Sequence, residues 1–263
     1  MDLGIQDRVA LVTGGTRGIG RYISLKLAEE GVQVVVTSRS SEQTEQFMKD
    51  FQGKYPHDFI GIRNSLKPDD IPVLVHELIE KNLYIDILVN NAGDTLGITN
   101  PLCDREDWRE VMDLNLTTPI ELCRLLLPRM IEKDWGRIVN ITSCAGLENS
   151  GPVTFSTAKA AITAYSRSMG RVLATMAQNV VMTAVFPGVV ATKGGHWDQI
   201  LQKDPDRAKK YLGERCPLGR FGLEEEVADT VLFYCSEKVS FSHGAIIPVD
   251  GGQSKHYMYQ NYL

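Results

Sequence analysis

The sequence lacks the long apolar run that a membrane-spanning helix requires, since no segment approaches roughly 18 consecutive apolar residues. The first residues, Met1 to Asp7, include two acidic side chains and lack the apolar stretch of a secretion signal. Positive charge is also scarce: 28 Lys and Arg against 33 Asp and Glu give a net charge of -5. We therefore expect a cytoplasmic protein that binds neither nucleic acid nor membrane.

Cysteine is too sparse and too scattered for a disulfide framework or a zinc site. The chain has five cysteines, an odd number, and no CxxC pair. They are Cys103, Cys123, Cys144, Cys216 and Cys235. This distribution is typical of a reducing compartment, and we expect no metal. Internal repeats, low-complexity tracts and linkers are absent as well, so we expect residues 1–263 to form a single domain.

Apolar, strand-like segments alternate with amphipathic, helix-like segments along the whole chain. The predicted strands are 8–13, 33–37, 58–62, 86–89, 137–141, 180–186 and 245–249. The predicted helices are 18–30, 72–81, 104–133, 153–177 and 224–236. This alternation predicts an α/β fold with a doubly wound (Rossmann-type), seven-stranded parallel sheet and helices on both faces. The stretch at about 191–220 lacks a strand, and we expect it to form a substrate loop.

The first strand leads into the glycine-rich segment TGGTRGIG, residues 13–20, and then into a helix. Gly14 permits a tight turn, Gly18 lets the backbone approach a pyrophosphate, and Gly20 lets the helix pack close to the strand. The N–H groups at the start of the helix would face the phosphates. Because these glycines stand between a strand and a helix, with the spacing GxxxGxG, they predict a dinucleotide site.

Several motifs occur together in an order that resembles the short-chain dehydrogenase/reductase family over nearly the whole chain. They are TGGTRGIG, Asn90-Asn91-Ala92-Gly93, Asn115, Ser143, Lys159, and Pro187-Gly188 with Thr192. The segments PLGRFG at 217–222, EEVA at 225–228 and VDGG at 249–252 resemble its 3-oxoacyl-reductase-like branch. The resemblance implies an alcohol/carbonyl oxidoreductase with a nicotinamide cofactor that assembles as a homotetramer or homodimer.

The end of the second strand favours NADP(H) over NAD(H). An acidic side chain at this point would bind the adenosine ribose and repel a 2'-phosphate. The chain instead has Ser38 and Arg39 there, with Arg17 in the nearby glycine turn. Two guanidiniums and a hydroxyl can bind a 2'-phosphate through charge-assisted hydrogen bonds. The alternative is that both arginines are solvated surface residues.

The resemblance implies further cofactor contacts. Asn64 stands where the family usually has an Asp that holds the adenine amine, and an amide oxygen can still accept that hydrogen bond. The Asn91-Ala92-Gly93 turn would line the adenosine ribose, and Pro187-Gly188 with Thr192 match contacts to the nicotinamide and pyrophosphate. The other cofactor candidates in these turns are Thr16, Ile19 and Val190.

The resemblance also implies catalytic roles. Asn115 would anchor a water chain, Ser143 would bind the substrate oxygen, and Lys159 would hold the nicotinamide ribose. The family's proton-donating tyrosine, four residues before the lysine, is replaced here by Phe155, which cannot donate a proton.

Three explanations for Phe155 are open. The chain could be an active branch that takes its proton from Ser143, from a water held by Lys159 and Asn115, or from His196. It could be a cofactor-binding protein without turnover. Phe155 could also be a substitution introduced at a tyrosine position.

The residues expected around the substrate are mostly polar. They are Glu148, Asn149, Thr154, His196 and Trp197. Because a long fatty chain would need apolar walls, they favour a small polar substrate such as a sugar or sugar phosphate, with a 3-oxoacyl-type ketone as the alternative. The C-terminal tail carries Tyr257, Tyr259 and Tyr262, which we expect to dock on a neighbouring subunit.

Overall fold

The computed structural model describes residues 1–148 and 150–254, in which strands and helices alternate. The strands are β1 (Val9–Val12), β2 (Gln33–Ser38), β3 (Ile60–Arg63), β4 (Ile87–Asn90), β5 (Gly136–Ile141), β6 (Val180–Pro187) and β7 (Ile246–Val249). The helices are α1 (Gly18–Glu29), α2 (Ser41–Phe51), α3 (Ile71–Glu80), α4 (Arg105–Met112), α5 (Thr118–Glu132), α6 (Val153–Met176), α7 (His196–Lys203), α8 (Pro205–Arg215) and α9 (Glu224–Tyr234). Asn149 and the three tail tyrosines lie outside the described residues.

The seven strands form one parallel sheet in the order β3-β2-β1-β4-β5-β6-β7. Strand β1 pairs with β2 on one side and with β4 on the other, so the strand order reverses at β1. In open α/β sheets, ligands bind beyond the carboxyl ends of the strands at such a reversal. The prediction of a doubly wound parallel sheet is confirmed, and the topology places the ligand crevice above β1 and β4.

The two faces of the sheet pack against different helices. Within β1, Ala10 and Val12 belong to a core that includes Ile23 of α1, whereas Leu11 belongs to the opposite core with Leu74 of α3. Because successive strand residues point to opposite faces, a strand covered on both sides must be apolar throughout. This explains why the predicted strands are continuous apolar runs.

A buried chain of hydrogen bonds ties α6 to the middle of the sheet. The amide of Asn90 in β4 donates to Asn140 Oδ1 in β5 at 2.8 Å. The amide of Asn140 donates to Ser166 Oγ in α6, also at 2.8 Å. Since buried polar groups are costly unless they are paired, this chain favours one position of α6, the helix that carries Phe155 and Lys159.

The structure differs from the predicted helices in two places. The helix predicted over 104–133 is interrupted by a π-helical turn at Asp113–Thr117. Within it, the Asn115 side-chain amide donates to Val111 O at 2.9 Å and so competes with the backbone ladder. Helix α2 was not predicted, although Ser40, which caps it by accepting from Gln43 N, forms the S-x-x-Q pattern of a helix start.

The stretch at about 191–220 contains two helices, α7 and α8, and no strand. Of the helices in the described part of the chain, none combines the length and the apolar character needed to cross a bilayer.

Gly170 lies where α6 comes closest to the segment before β7. A Cβ there would lie 2.5 Å from Gly244 Cα and 3.1 Å from Met182 O. We expect Gly170→Ala to lower the free energy of unfolding by about 1–3 kcal/mol, because backbone must move to make room. Gly213 in α8 faces open space. Gly213→Ala is the matched control and should raise stability by about 0.5–1 kcal/mol. Urea denaturation measures both, and equal effects would contradict the close approach.

Candidate functional site

A cavity of about 770 Å³ opens at the carboxyl ends of the strands. This volume lies within the range of roughly 300–1,000 Å³ that is usual for small-molecule and cofactor sites. One end is lined by the glycine turn and the end of β2. The other is lined by Ser143, Phe155, Lys159 and the start of α7. Of the expected cofactor residues, those that line it are Gly14, Thr16, Arg17, Gly18, Ile19, Gly20, Ser38, Arg39, Asn91, Ala92, Gly93, Lys159, Pro187, Gly188, Val190 and Thr192.

The glycine turn is held against the turn after β4. Asn91 Nδ2 donates to Thr13 O at 2.9 Å and to Gly14 O at 3.3 Å. A side chain at Gly20 would collide with Gly14 O and Asn91 Nδ2, so only glycine fits there. Arg17, the N-cap residue of α1, makes no side-chain cap. The N–H groups at this helix end are therefore open to a phosphate in the cavity.

The end of the cavity at the glycine turn and the end of β2 is positively charged. Arg17, Arg39 and Lys193 are exposed residues of its lining. Within the described residues, the guanidiniums of Arg17 and Arg39 form no ion pair with a carboxylate. Ser38 Oγ accepts a hydrogen bond from Ser40 N at 3.2 Å, which fixes the turn between β2 and α2. These groups can bind an anion without first giving up a partner.

Asn64 is the one expected cofactor residue that does not line the cavity. Its Oδ1 accepts from Leu66 N at 2.8 Å, and its Nδ2 donates to Asp70 O at 3.3 Å. Both amide atoms are therefore engaged within the loop after β3. Its neighbours Ser65 and Leu66 line the cavity instead.

Lys159 lies at the other end of the cavity and is buried, with only 4% of its surface exposed. Its Nζ donates to Ile141 O, the last residue of β5, at 2.9 Å. The same atom lies 5.5 Å from the centroid of the Phe155 ring. Burial lowers the pKa of Lys159 to about 8, because a desolvated ammonium is less stable than the neutral amine.

Asn115, in the π-helical turn, has its side chain near Lys159 Nζ. It is 1% exposed, and its Nδ2 donates to Asp94 O at 2.8 Å. Its Oδ1 is buried without a hydrogen-bond partner among the described residues. A Cβ on Gly93 would lie 2.7 Å from both Asn115 Oδ1 and Lys159 Nζ. The missing side chain of Gly93 therefore keeps both polar atoms within reach of a ligand.

Ser143 and Phe155 line the cavity beside Lys159. Ser143 Oγ accepts a hydrogen bond from Ala145 N at 3.1 Å, which fixes the hydroxyl at the end of β5. Phe155 is half-buried in the first turns of α6, one helical turn before Lys159. The structure thus brings Ser143, Phe155 and Lys159 together on one wall, with Asn115 buried behind Gly93.

The substrate candidates divide into two groups. His196 and Trp197, at the start of α7, line the cavity. Glu148 and Thr154 do not. The Glu148 carboxylate accepts a hydrogen bond from Gln253 at 3.0 Å, and Thr154 is 1% exposed. Asn149 lies outside the described residues.

Several lining residues escaped the sequence analysis. They are Ser40, Gln43, Ser65, Leu66, Asp94, Thr95, Gly97, Leu114, Ile141, Thr142, Lys193, Gly194, Gly195 and Gln199. Some directly follow a recognised motif: Asp94 follows Gly93, and Lys193 follows Thr192. Gln43 was missed together with α2. In residues 1–148 and 150–254, no cluster of three or more His, Cys, Asp or Glu side chains could hold a metal ion.

The chain matches known proteins over most of its length. A family model described as short chain dehydrogenase matches residues 8–198. The 3-oxoacyl-(acyl-carrier-protein) reductase FabG of Aquifex aeolicus is 40% identical over 254 residues, which are 96% of this chain and 99% of that protein.

Two solved structures share the fold. L-sorbose reductase from Gluconobacter frateurii, complexed with NADPH and L-sorbose, is 26% identical with a TM-score of 0.87, covering 98% of this chain and 100% of that one. A 3-oxoacyl-(acyl-carrier-protein) reductase from Agrobacterium tumefaciens C58 with NADP bound is 28% identical with a TM-score of 0.86, covering 95% and 96%.

Lys159→Met tests the burial of the lysine, because it removes the amine and keeps a chain of similar shape. With a native pKa of about 8 and an ordinary value of 10.5, the unfolded protein binds more protons between these pH values. Lys159 therefore makes the wild type gain stability as the pH rises from 8 to 10. The difference in unfolding free energy between wild type and variant should grow by about 2 kcal/mol over this range, measured by urea denaturation. Lys49→Met, on an exposed residue of α2, controls for the lost charge. Parallel curves for wild type and Lys159→Met would contradict the burial.

Proposed function

The chain belongs to the short chain dehydrogenase family, and on that premise we propose that it is an NADP(H)-dependent oxidoreductase that interconverts an alcohol and a carbonyl on a small polar substrate. One observation carries the proposal. A single cavity has the open N-terminus of α1 and two arginines at one end, and Ser143 and Lys159 at the other. One connected space would therefore serve both phosphate binding and carbonyl chemistry.

The described residues fit a phosphorylated dinucleotide. Gly14 and Gly18 have positive φ angles of 63° and 52°, which let the backbone approach the pyrophosphate closely. Arg17 and Arg39 would hold the 2'-phosphate, with Lys193 adding positive charge. Lys159 Nζ and Asn115 Oδ1 face the position where Gly93 leaves space for a ribose hydroxyl or a water. The structures with NADPH and NADP bound support the same choice of cofactor for this chain.

The bound nicotinamide would supply a hydride to a carbonyl carbon, or accept one from an alcohol. Ser143 would donate a hydrogen bond to the substrate oxygen, where negative charge develops during reduction. Lys159 would provide the nearest buried positive charge and hold the ribose. Since Phe155 has no proton to give, we propose that the ammonium of Lys159 supplies it, directly or through a water that Asn115 Oδ1 holds. A pKa of about 8 suits a group that must release a proton near neutral pH.

The end of the cavity at Ser143 and the start of α7, which we call the substrate end, supports a hydroxylated substrate. Its polar lining includes Asp94, Thr95, His196 and Gln199, and Trp197 provides an aromatic face. The similarity to an enzyme named L-sorbose reductase favours a sugar or sugar phosphate. The similarity to enzymes named 3-oxoacyl reductases favours a 3-oxoacyl-type ketone. The polar lining favours the sugar class, because a bound fatty chain would leave these polar side chains without hydrogen-bond partners.

Phe155 supports a second candidate function. A hydrocarbon ring occupies the wall beside Ser143 and Lys159, where a reductase of this family would present its acid. In this alternative the chain binds NADP(H) without turnover and acts through assembly with other copies of itself. Cofactor binding is common to both functions, so only hydride transfer separates them.

Arg39→Asp tests the choice of cofactor. The change removes one guanidinium from the proposed 2'-phosphate site and places a carboxylate where it can bind ribose hydroxyls. We expect the wild type to bind NADPH at least tenfold more tightly than NADH, and the variant to lose most of this preference, because a charge-assisted contact contributes about 1.5–3 kcal/mol. Fluorescence titration measures both dissociation constants. Lys49→Asp makes the same charge change away from the cavity and should keep the preference. Equal affinities in the wild type would contradict the assignment.

Phe155→Tyr tests the reaction. The change adds one oxygen to a ring beside Lys159 and so supplies a positioned acid. Single-turnover hydride transfer to a panel of keto sugars and 3-oxoacyl thioesters, followed by loss of NADPH absorbance, should rise by about 10²-fold over a measurable wild-type rate. Phe155→Leu, which adds no proton donor, should give no gain.

The other outcomes of this experiment are informative. A wild-type rate that Phe155→Tyr leaves unchanged, and that His196→Ala abolishes, would move the proton source from Lys159 to His196. Saturable NADPH binding without hydride transfer from either form would favour the non-catalytic function.

A further inference from the structure

A buried cluster around Gln253 connects the segment after β7 to the substrate end of the cavity. Gln253 is 2% exposed. Its Oε1 accepts a hydrogen bond from Val189 N at 3.1 Å. Its Nε2 lies 3.0 Å from Glu148 Oε1, 3.2 Å from the Tyr211 hydroxyl and 3.1 Å from Cys144 Sγ. One side chain therefore contacts three separate segments of the fold: the loop at residues 144–148, the residue after Gly188, and helix α8.

Each of these segments adjoins or contacts a residue that lines the cavity. Cys144 directly follows Ser143, and Val189 directly follows Gly188, which lines the cavity. Tyr211 belongs to α8, and its ring lies 4.3 Å, centroid to centroid, from that of Trp197 in the cavity wall. Burial raises the pKa of the Tyr211 phenol and that of the Cys144 thiol, so both stay protonated beside the amide.

Helices α7 and α8 have few other anchors. Among the described residues, α7 buries only Ile200 and α8 buries only Ala208. An element with so little buried apolar surface opens easily unless specific contacts hold it. The contacts from Gln253 to Tyr211, and from Tyr211 to Trp197, link both helices to the sheet.

From this placement we propose that Gln253 is a positioning residue: through Tyr211 and Trp197 it holds α7 and α8 against the cavity and thereby shapes the substrate subsite. Its effect on catalysis rests on the proposed function, whereas its effect on the position of the helices does not. Gln253 is not among the residues that line the cavity, so it would act on the substrate through its neighbours.

The polarity of the amide makes this role testable. In Gln253→Glu, one oxygen can still accept from Val189 N. The other replaces the nitrogen and faces the Glu148 carboxylate, so an attraction becomes a repulsion. Adding Glu148→Gln supplies an amide nitrogen from the other side and restores the hydrogen bond. In the double variant, residue 148 therefore donates the hydrogen bond and residue 253 accepts it, while the two side chains keep nearly the same shape.

Hydrogen exchange of residues 196–215 tests the positioning role without cofactor or turnover. We expect about tenfold faster exchange in Gln253→Glu, and a return close to the wild-type rate in the Gln253→Glu/Glu148→Gln double variant. Gln178→Glu, an exposed residue before β6, makes the same chemical change and should leave exchange there unchanged. Wild-type exchange in Gln253→Glu, or no recovery in the double variant, would overturn the proposal.

Kinetics test the subsite. Gln253→Glu should raise the KM of the carbonyl substrate about tenfold and leave the NADPH dissociation constant within about twofold, since the glycine turn is untouched. The double variant should recover the wild-type KM. A change in NADPH affinity equal to that in KM would overturn the assignment to the substrate end. If no variant transfers hydride, the proposed reaction fails, and the exchange rates still decide whether Gln253 holds the helices.

Discussion

The candidate site depends on the burial of one ammonium group. Lys159 gives up almost all of its hydration and receives in exchange the carbonyl of Ile141 at 2.9 Å, at the end of β5. Its surroundings must therefore leave room for a polar ligand while excluding bulk water. Two glycines make room around this lysine. A Cβ on Gly93 would lie 2.7 Å from Lys159 Nζ, and a Cβ on Gly146 would lie 2.6 Å from the Lys159 backbone carbon. The buried Oδ1 of Asn115 provides a polar atom for such a ligand.

The parallel sheet and the glycine turn that lines the cavity were predictable because they depend on local patterns. Val and Ile runs mark strands that are covered on both faces, and TGGTRGIG between a strand and a helix marks the phosphate turn. The meeting of Ser143, Lys159 and Asn115 at the cavity was predictable only through the family resemblance, since they come from three separate elements. Sequence spacing alone does not predict that these side chains lie close together.

The unpredicted features depend on contacts between distant segments. Asn64 matched a cofactor position by order in the sequence, yet its amide is engaged by Leu66 N and Asp70 O. Glu148 was expected at the substrate, yet its carboxylate is bound to Gln253, which lies 105 residues away in the chain. A polar side chain has several potential partners, and only the folded structure selects one. Gln253 also precedes the tail tyrosines, so a truncation that isolates their role should begin after Ser254.

Phe155 is the position at which the expected site lacks a proton donor. The glycine turn, Ser143 and the buried Lys159 are all in place at the cavity without a phenol. The most direct measurement is a single turnover with NADPH deuterated at both C4 positions and a keto sugar, with mass analysis of the product. We expect an alcohol that carries one deuterium on the former carbonyl carbon. Saturable NADPH binding with no deuterium transferred to a keto sugar or a 3-oxoacyl thioester would contradict it.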